Sequence, residues 1–249
     1  MDLGIQGRRA AVAAASRGLG YAIAGALVAE GARVAICGRR RDAIDDAAAR
    51  LGHGTAAIVA DVSKPEGAIS FVAEACDALG GVDILVPNAG GPRPGGTADV
   101  SLDDYAIAFD LNCRSAIAMC EEVMPAMRAQ RWGRVVAVTS VTVRQPLPSL
   151  VLSNVARAAL TAYLKTLSRD VAADGVTVNS LLPGFHETER LSALYDAEKL
   201  ADLAENVPAR ALGRPEDFGA FAAFLCSEHA RYVTGTATPV DGGIYGGLL

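Results

Sequence analysis

Short apolar runs alternate with longer stretches in which apolar side chains recur at helical spacing. The runs predict strands at Ala10–Ala14, Arg33–Cys37, Ala56–Ala60, Ile84–Pro87, Arg134–Thr139, Val176–Leu181 and Ala237–Val240. The stretches between them predict helices at Leu19–Glu30, Arg41–Leu51, Pro65–Leu79, Leu102–Ala129, Val155–Ala173 and Pro215–Ser227. The helix after Pro65 has a good start: Ser63 can cap it, Pro65 suits the first turn and Glu66 complements the dipole. Asp42–Arg50 mixes acids and bases as a solvated helix face does. Strands and helices in strict alternation imply an α/β fold, a doubly wound parallel sheet of about seven strands flanked by helices. Its ligand crevice should lie beyond the carboxyl ends of the strands.

Composition narrows the classes. The chain has 249 residues and no linker-like stretch, so residues 1–249 are expected to form one domain. A 51% hydrophobic content with 26 glycines suits buried strands joined by tight turns. A net charge of −5 argues against nucleic acid or an anionic membrane as partner. Apolar runs fall short of the roughly 20 residues of a membrane span. Met1-Asp2-Leu3-Gly4 lacks the basic and apolar regions of a signal peptide, and the five scattered cysteines lack zinc-ligand spacing. Reduced thiols in a cytoplasmic protein are the reading that fits.

The first strand runs into Ala13-Ala14-Ala15-Ser16-Arg17-Gly18-Leu19-Gly20, which opens a helix. Free N–H groups and the dipole at a helix start attract phosphate, and glycine lets the backbone approach it closely. The alternative is a glycine-tight turn with no ligand. After the second strand, a fold that binds NAD usually carries an acid for the ribose 2′-OH. Here the strand ends Cys37-Gly38-Arg39-Arg40. Arg39 and Arg17 could instead neutralise a 2′-phosphate, which favours NADP(H) over NAD(H).

Several separated motifs share the order and spacing of one family. They are the loop with Gly18 and Gly20, Asp61-Val62, Asn88-Ala89-Gly90, Leu111-Asn112-Cys113, Val138-Thr139-Ser140, Pro183-Gly184 with Thr188, Gly213-Arg214-Pro215, Val233-Thr234-Gly235 and Val240-Asp241-Gly242-Gly243. Over roughly residues 5–245 the chain resembles the short-chain dehydrogenase/reductase family, in particular its 3-oxoacyl-ACP-reductase-like members. The resemblance implies a Rossmann-like domain, a nicotinamide cofactor and a small carbonyl or alcohol substrate. It implies that Ser16, Arg17, Gly18, Leu19 and Gly20 hold phosphate, that Asp61 and Val62 flank adenine, and that Asn88, Ala89 and Gly90 form a turn beside the cofactor. Asn88 reads equally well as a holder of the central sheet. Pro183, Gly184 and Thr188 would lie by the nicotinamide. A homo-oligomer, dimer or tetramer, and a substrate lid near residues 186–210 are further implications. Leu191, Leu194, Leu200 and Leu203 fit one amphipathic lid helix over Glu189–Asn206, or ordinary packing.

The same resemblance exposes a conflict. In the family, a tyrosine stands thirteen residues after the serine matched by Ser140, and a lysine four further on. The tyrosine gives the substrate its proton, the lysine lowers the tyrosine pKa and bonds ribose, and an asparagine, matched by Asn112, supports a water relay. Here the two positions hold Ser153 and Arg157. They share a helix face, but an alkyl hydroxyl is a far weaker acid than a phenol, and arginine does not pass protons on. Arg157 can still bond a ribose or an anion. His186 could replace the acid or simply face solvent, and Tyr163, pointing away from Ser153, is expected in the core. Pro146, Pro148 and Leu147–Leu152 suggest a greasier approach to the site, or a rigid loop. The expected activity is therefore hydride transfer between NADP(H) and a small carbonyl or alcohol with atypical proton transfer. A non-redox enzyme, for which halohydrin dehalogenases are an imperfect analogy, or a silent ligand-binding protein are the alternatives.

Overall fold

The computed structural model describes residues 1–248. Seven parallel strands form one sheet: β1 (Arg9–Val12), β2 (Arg33–Gly38), β3 (Ala56–Val59), β4 (Ile84–Val86), β5 (Gly133–Val138), β6 (Val176–Pro183) and β7 (Ala237–Val240), in the order β3-β2-β1-β4-β5-β6-β7. The order reverses between β1 and β4. That is where the strand ends part and leave a crevice.

Alternation along the strands divides the core into two layers. Ala10, Val12, Val34 and Ile36 point to one face and pack with Ile23 and Leu27 of α1 (Gly18–Ala29), Ile44 of α2 (Arg41–Leu51) and Phe218 of α9 (Pro215–Leu225). Ala11, Ala35, Val135 and Val178 point to the other. They pack with Phe71 of α3 (Pro65–Leu79), Met119 of α5 (Ser115–Ala129) and Leu160 and Leu164 of α6 (Val151–Val171). Both faces of the sheet are covered, which is why the strands read as continuous apolar runs.

Four sequence expectations are corrected. The long helix over 102–129 is three pieces: α4 (Leu102–Phe109), a π-helical turn at Asp110–Arg114, and α5. The wide turn carries Asn112, and such turns re-aim single side chains at functional sites. Helix α3 has Lys64 at its N-cap with no side-chain cap, because the Ser63 N–H turns back to donate to Asp61 Oδ1 at 3.0 Å. Helix α6 starts at Val151, a turn earlier than its apolar periodicity suggested, behind an N-cap position held by Leu150. The single helix expected over Glu189–Asn206 is two, α7 (Glu189–Leu194) and α8 (Ala197–Asn206). Asp196 breaks them by capping α8, its carboxylate accepting from the Lys199 N–H at 2.9 Å. The side chain of Leu194 lies outside the described residues.

Among the described residues no helix is long and apolar enough to cross a membrane, and no cluster of His, Cys, Asp or Glu could hold a metal ion. All five cysteines are free. Burial pushes the Cys37, Cys120 and Cys226 thiols up to about 12, so all three are inert neutral groups.

Candidate active site

The loop from β1 into α1 turns on two residues in the left-handed region, Ala14 at φ 49° and Gly18 at φ 63°. Glycine adopts that conformation freely, and alanine holds it against its own Cβ. Two neighbours fix Ala14: its N–H donates to Cys37 Sγ at 3.3 Å, and the Asn88 amide donates to the carbonyls of Ala13 and Ala14 at 3.1 and 3.2 Å. Asn88 thus ties the β4 turn to the loop. A Cβ on Gly20 would lie 2.6 Å from Asn88 Nδ2 and 2.9 Å from Ala14 O, so only glycine fits there.

Helix α1 begins at Gly18 with Arg17 as an N-cap that offers no side-chain cap, and its first turn has no acid. Its leading N–H groups are left for an anion. Ser16 and Leu19 are half-buried beside them, and Arg17 is exposed. Arg39 projects just past β2 and forms no ion pair among the described residues. Val62 is buried under the crevice rim while Asp61 is exposed at it.

Beyond β4 and β5 stands the second group. Asn112, buried on its π-helical turn, donates from Nδ2 to Gly90 O at 2.8 Å, and its Oδ1 has no partner. Ser140 lies two residues past β5, and its Oγ accepts from the Thr142 N–H at 3.2 Å. Ser153 and Arg157 face the same strand end from α6, and both are buried. Arg157 Nη1 donates to the carbonyls of Val138 and Thr139, at 3.0 Å each. One edge of the guanidinium is therefore bound to backbone. Burial, aided by the positive charge of Arg190, lowers the Arg157 pKa to about 10, which leaves it charged at neutral pH.

The segment expected to form a lid touches both the first loop and the turn after β4. Pro183 ends β6, Gly184 packs against Asp241, and Thr188 caps α7 with its side chain, accepting from the Leu191 N–H. The Thr188 methyl lies over Gly18, 3.8 Å from where a Cβ would stand. The next residue, Glu189, pairs with Arg17 at 2.8 Å. The one after, Arg190, lies over Gly91, past the Asn88-Ala89-Gly90 turn. Sequence reasoning missed both partners, although adjacent opposite charges in the first turn after Thr188 were a visible signal.

The two alternative acids are placed elsewhere. His186 is buried rather than solvent-facing: it packs edge-on to Phe218 with centroids 5.1 Å apart, and its ring fills the space over Gly213. Burial lowers its pKa, outweighing the Gly184 carbonyl and Asp241, so it is neutral. Tyr163 packs on the α5 side of the core, as expected from its helical angle, and burial raises its pKa.

Comparison with known proteins agrees with this geometry. A family model described as enoyl-(acyl carrier protein) reductase matches residues 13–245. Dehydrogenase/reductase SDR family member 4 of Homo sapiens is 36% identical over 239 residues, covering 94% of this chain and 86% of that protein. The 3-oxoacyl-[acyl-carrier-protein] reductase FabG of Vibrio cholerae is 34% identical over 243 residues, covering 98% and 99%. Among solved structures, L-sorbose reductase of Gluconobacter frateurii, complexed with NADPH and L-sorbose, superposes with a TM-score of 0.92 at 32% identity over the whole of both chains.

Proposed function

This chain belongs to the short-chain dehydrogenase/reductase family, and we propose that it binds NADP(H) in preference to NAD(H) and interconverts a small carbonyl compound and its alcohol. The observation that carries the cofactor reading is the uncapped start of α1, whose N–H groups have neither a side-chain cap nor a neighbouring acid. The crevice fits the group on two further counts: Gly90 has open space where a Cβ would project, and Asn112 keeps a buried, unpartnered Oδ1. Ser16, Gly18, Leu19 and Gly20 would hold the pyrophosphate, with Asp61 and Val62 flanking adenine. Asn88, Ala89, Gly90, Pro183, Gly184 and Thr188 would line the nicotinamide end. Arg17 and Arg39 would meet the 2′-phosphate, which is the basis for preferring NADP(H). Bound NADPH would supply the hydride.

In this reading Ser140 orients the substrate oxygen and Asn112 holds water beside it. Ser153 and Arg157 stand where the family places its tyrosine and lysine. Arg157 stabilises negative charge without moving a proton, so proton delivery falls to Ser153 or to water. A positioned acid contributes about 10²–10⁴ in rate, so turnover would be slow. Residues 1–249 are read as one nucleotide-binding domain with a lid near 186–210, acting in the cytoplasm as a homo-oligomer.

A second reading is a nucleotide-binding protein that catalyses no reduction. The neutral, buried His186 and the distant Tyr163 favour it, because neither offers a replacement acid. Titration with NADPH and NADH, followed by nucleotide fluorescence, tests the cofactor claim. Micromolar NADPH binding with weak NADH binding is expected, and binding of neither overturns it. Slow NADPH oxidation across a panel of ketones and aldehydes separates the two readings.

A further inference from the structure

Two guanidiniums past the neighbouring strands β4 and β5 have no counter-charge among the described residues. Arg157 is buried at the end of β5, and only its Nη1 is engaged, by the Val138 and Thr139 carbonyls. Arg190 reaches in from the lid so closely that a Cβ on Gly91 would lie 2.5 and 2.6 Å from its Nη2 and Nη1. Gly91 follows β4 and Arg157 bonds the end of β5, and these strands are neighbours in the sheet. The twelve ion pairs among the described residues include neither arginine.

Arg157 is a buried charge without the partner such a charge requires, and Arg190, exposed to solvent, brings a second positive charge to bear on it. The pyrophosphate is not that partner in the reading given above, because it takes the uncapped start of α1, on the Arg17 side of the crevice. Arg157 instead bonds the carbonyl just before Ser140 and lies one helical turn from Ser153, while Arg190 lies over Gly91 past the neighbouring strand. Ser153 is buried and its hydroxyl makes no hydrogen bond to another described residue, so it is left to a ligand. A guanidinium meets a carboxylate with paired, parallel N–H donors, which neither a neutral ketone nor an alcohol can accept.

Resting on the cofactor reading, we propose that Arg157 and Arg190 together receive a carboxylate of the substrate, so that the molecule turned over is a keto acid or its hydroxy acid. Ser140 would then face the keto oxygen while the lid arginine closes on the acid end. Substrate binding is thereby coupled to lid position through one side chain.

Calorimetry on the full chain tests this with two pairs of probes, acetoacetate against methyl acetoacetate and levulinate against methyl levulinate. Each is titrated into protein saturated with NADP⁺ and into protein without cofactor. At least one keto acid is expected to bind ten-fold or more tightly than its ester. Arg190→Met should abolish that preference and leave the NADPH affinity within two-fold, while Arg190→Lys should retain part of it. Equal binding of acids and esters, or binding of none, overturns the proposal. So does an Arg190→Met variant that loses NADPH as severely as the keto acid, since Arg190 would then serve the cofactor's phosphates. Failure of the cofactor reading looks different: no NADPH binding, with the acid preference intact in the cofactor-free titration.

Discussion

Arg17 donates to Glu189 at 2.8 Å, joining the phosphate loop to the first turn of the lid. Both side chains are largely exposed, so the pair is weak by itself, yet it occupies one of the two cations assigned to the 2′-phosphate. In the proposed reading, cofactor and Glu189 would therefore compete for Arg17. Glu189→Gln is expected to tighten NADPH binding by roughly two- to five-fold, the size of an exposed ion pair, without changing NADH binding. Arg17→Leu should weaken NADPH binding about ten-fold and leave NADH unaffected. Fluorescence titration of the three proteins at low salt checks both, and equal shifts for NADPH and NADH would remove Arg17 from the 2′-phosphate.

Ala14 is held at φ 49°, where an L side chain costs about 1–2 kcal/mol relative to its usual regions. Glycine relieves that cost but loses more chain entropy on folding, about 0.5–1 kcal/mol. The strain is the larger of the two, so Ala14→Gly should stabilise the fold modestly, by about 1 kcal/mol or less. For a chain of this size the melting temperature should rise by about 2–4 °C per kcal/mol. Gly20→Ala should act the other way and more strongly, because its Cβ would meet Asn88 Nδ2 and Ala14 O. Thermal melts of both variants decide the matter, and an Ala14→Gly protein that melts lower would show the loop to be unstrained.

The fold was legible because buried parallel strands leave a plain signal. Ala10–Val12 and Val34–Cys37 are apolar on both faces and are followed by a helical period, while Val176–Leu181 keeps its buried place with Thr177, Asn179 and Ser180 among its residues. Local geometry was not legible. Nothing in Leu102–Ala129 announces the π-helical turn at Asp110–Arg114, because one extra residue barely disturbs a helical apolar pattern. The lid break at Tyr195 and Asp196 was hidden by leucines whose spacing continues across it. At the crevice, glycines and arginines could be placed by motif, and the structure sets Asn112 past β4 and Ser140 and Arg157 past its neighbour β5, with Ser153 one turn from Arg157. What Arg157, Glu189 and Arg190 bond to depends on side chains crossing between elements far apart in sequence, and no periodicity encodes that.

His186 makes stability depend on pH. Burial against Phe218 and Gly213 lowers its pKa below the unfolded value near 6.5, so the unfolded chain binds a proton that the folded chain refuses. With more protons on the unfolded state, stability rises with pH through the interval between the two pKa values. It is therefore fully present above 6.5 and lost as the pH falls below it. His186→Met fills similar volume without titrating. Urea midpoints between pH 5 and 8 should fall toward acid in the parent and change less in the variant. Parallel curves would show that His186 carries a proton in the folded state.

Ser153 and Arg157, one turn apart on α6, are the sharpest test of what this site can do. If only a proton donor is missing, restoring one should awaken reduction. Ser153→Tyr alone supplies a phenol with an ordinary pKa near 10, which the Arg157 charge would lower. Arg157, however, is bound by Nη1 to the Val138 and Thr139 carbonyls and cannot relay the proton that replenishes the phenol. Ser153→Tyr combined with Arg157→Lys supplies both functions. The single variant should thus raise NADPH-dependent carbonyl reduction less than the double variant. The double variant should approach the about 10²–10⁴ that a positioned acid contributes. If a carboxylate is the natural anchor, Arg157→Lys also gives up half of it. The gain should then appear in kcat while KM for a keto acid rises and KM for its ester does not. A double variant that binds NADPH as the parent does, yet reduces neither acid nor ester any faster, would place the fault in substrate positioning rather than in the missing acid.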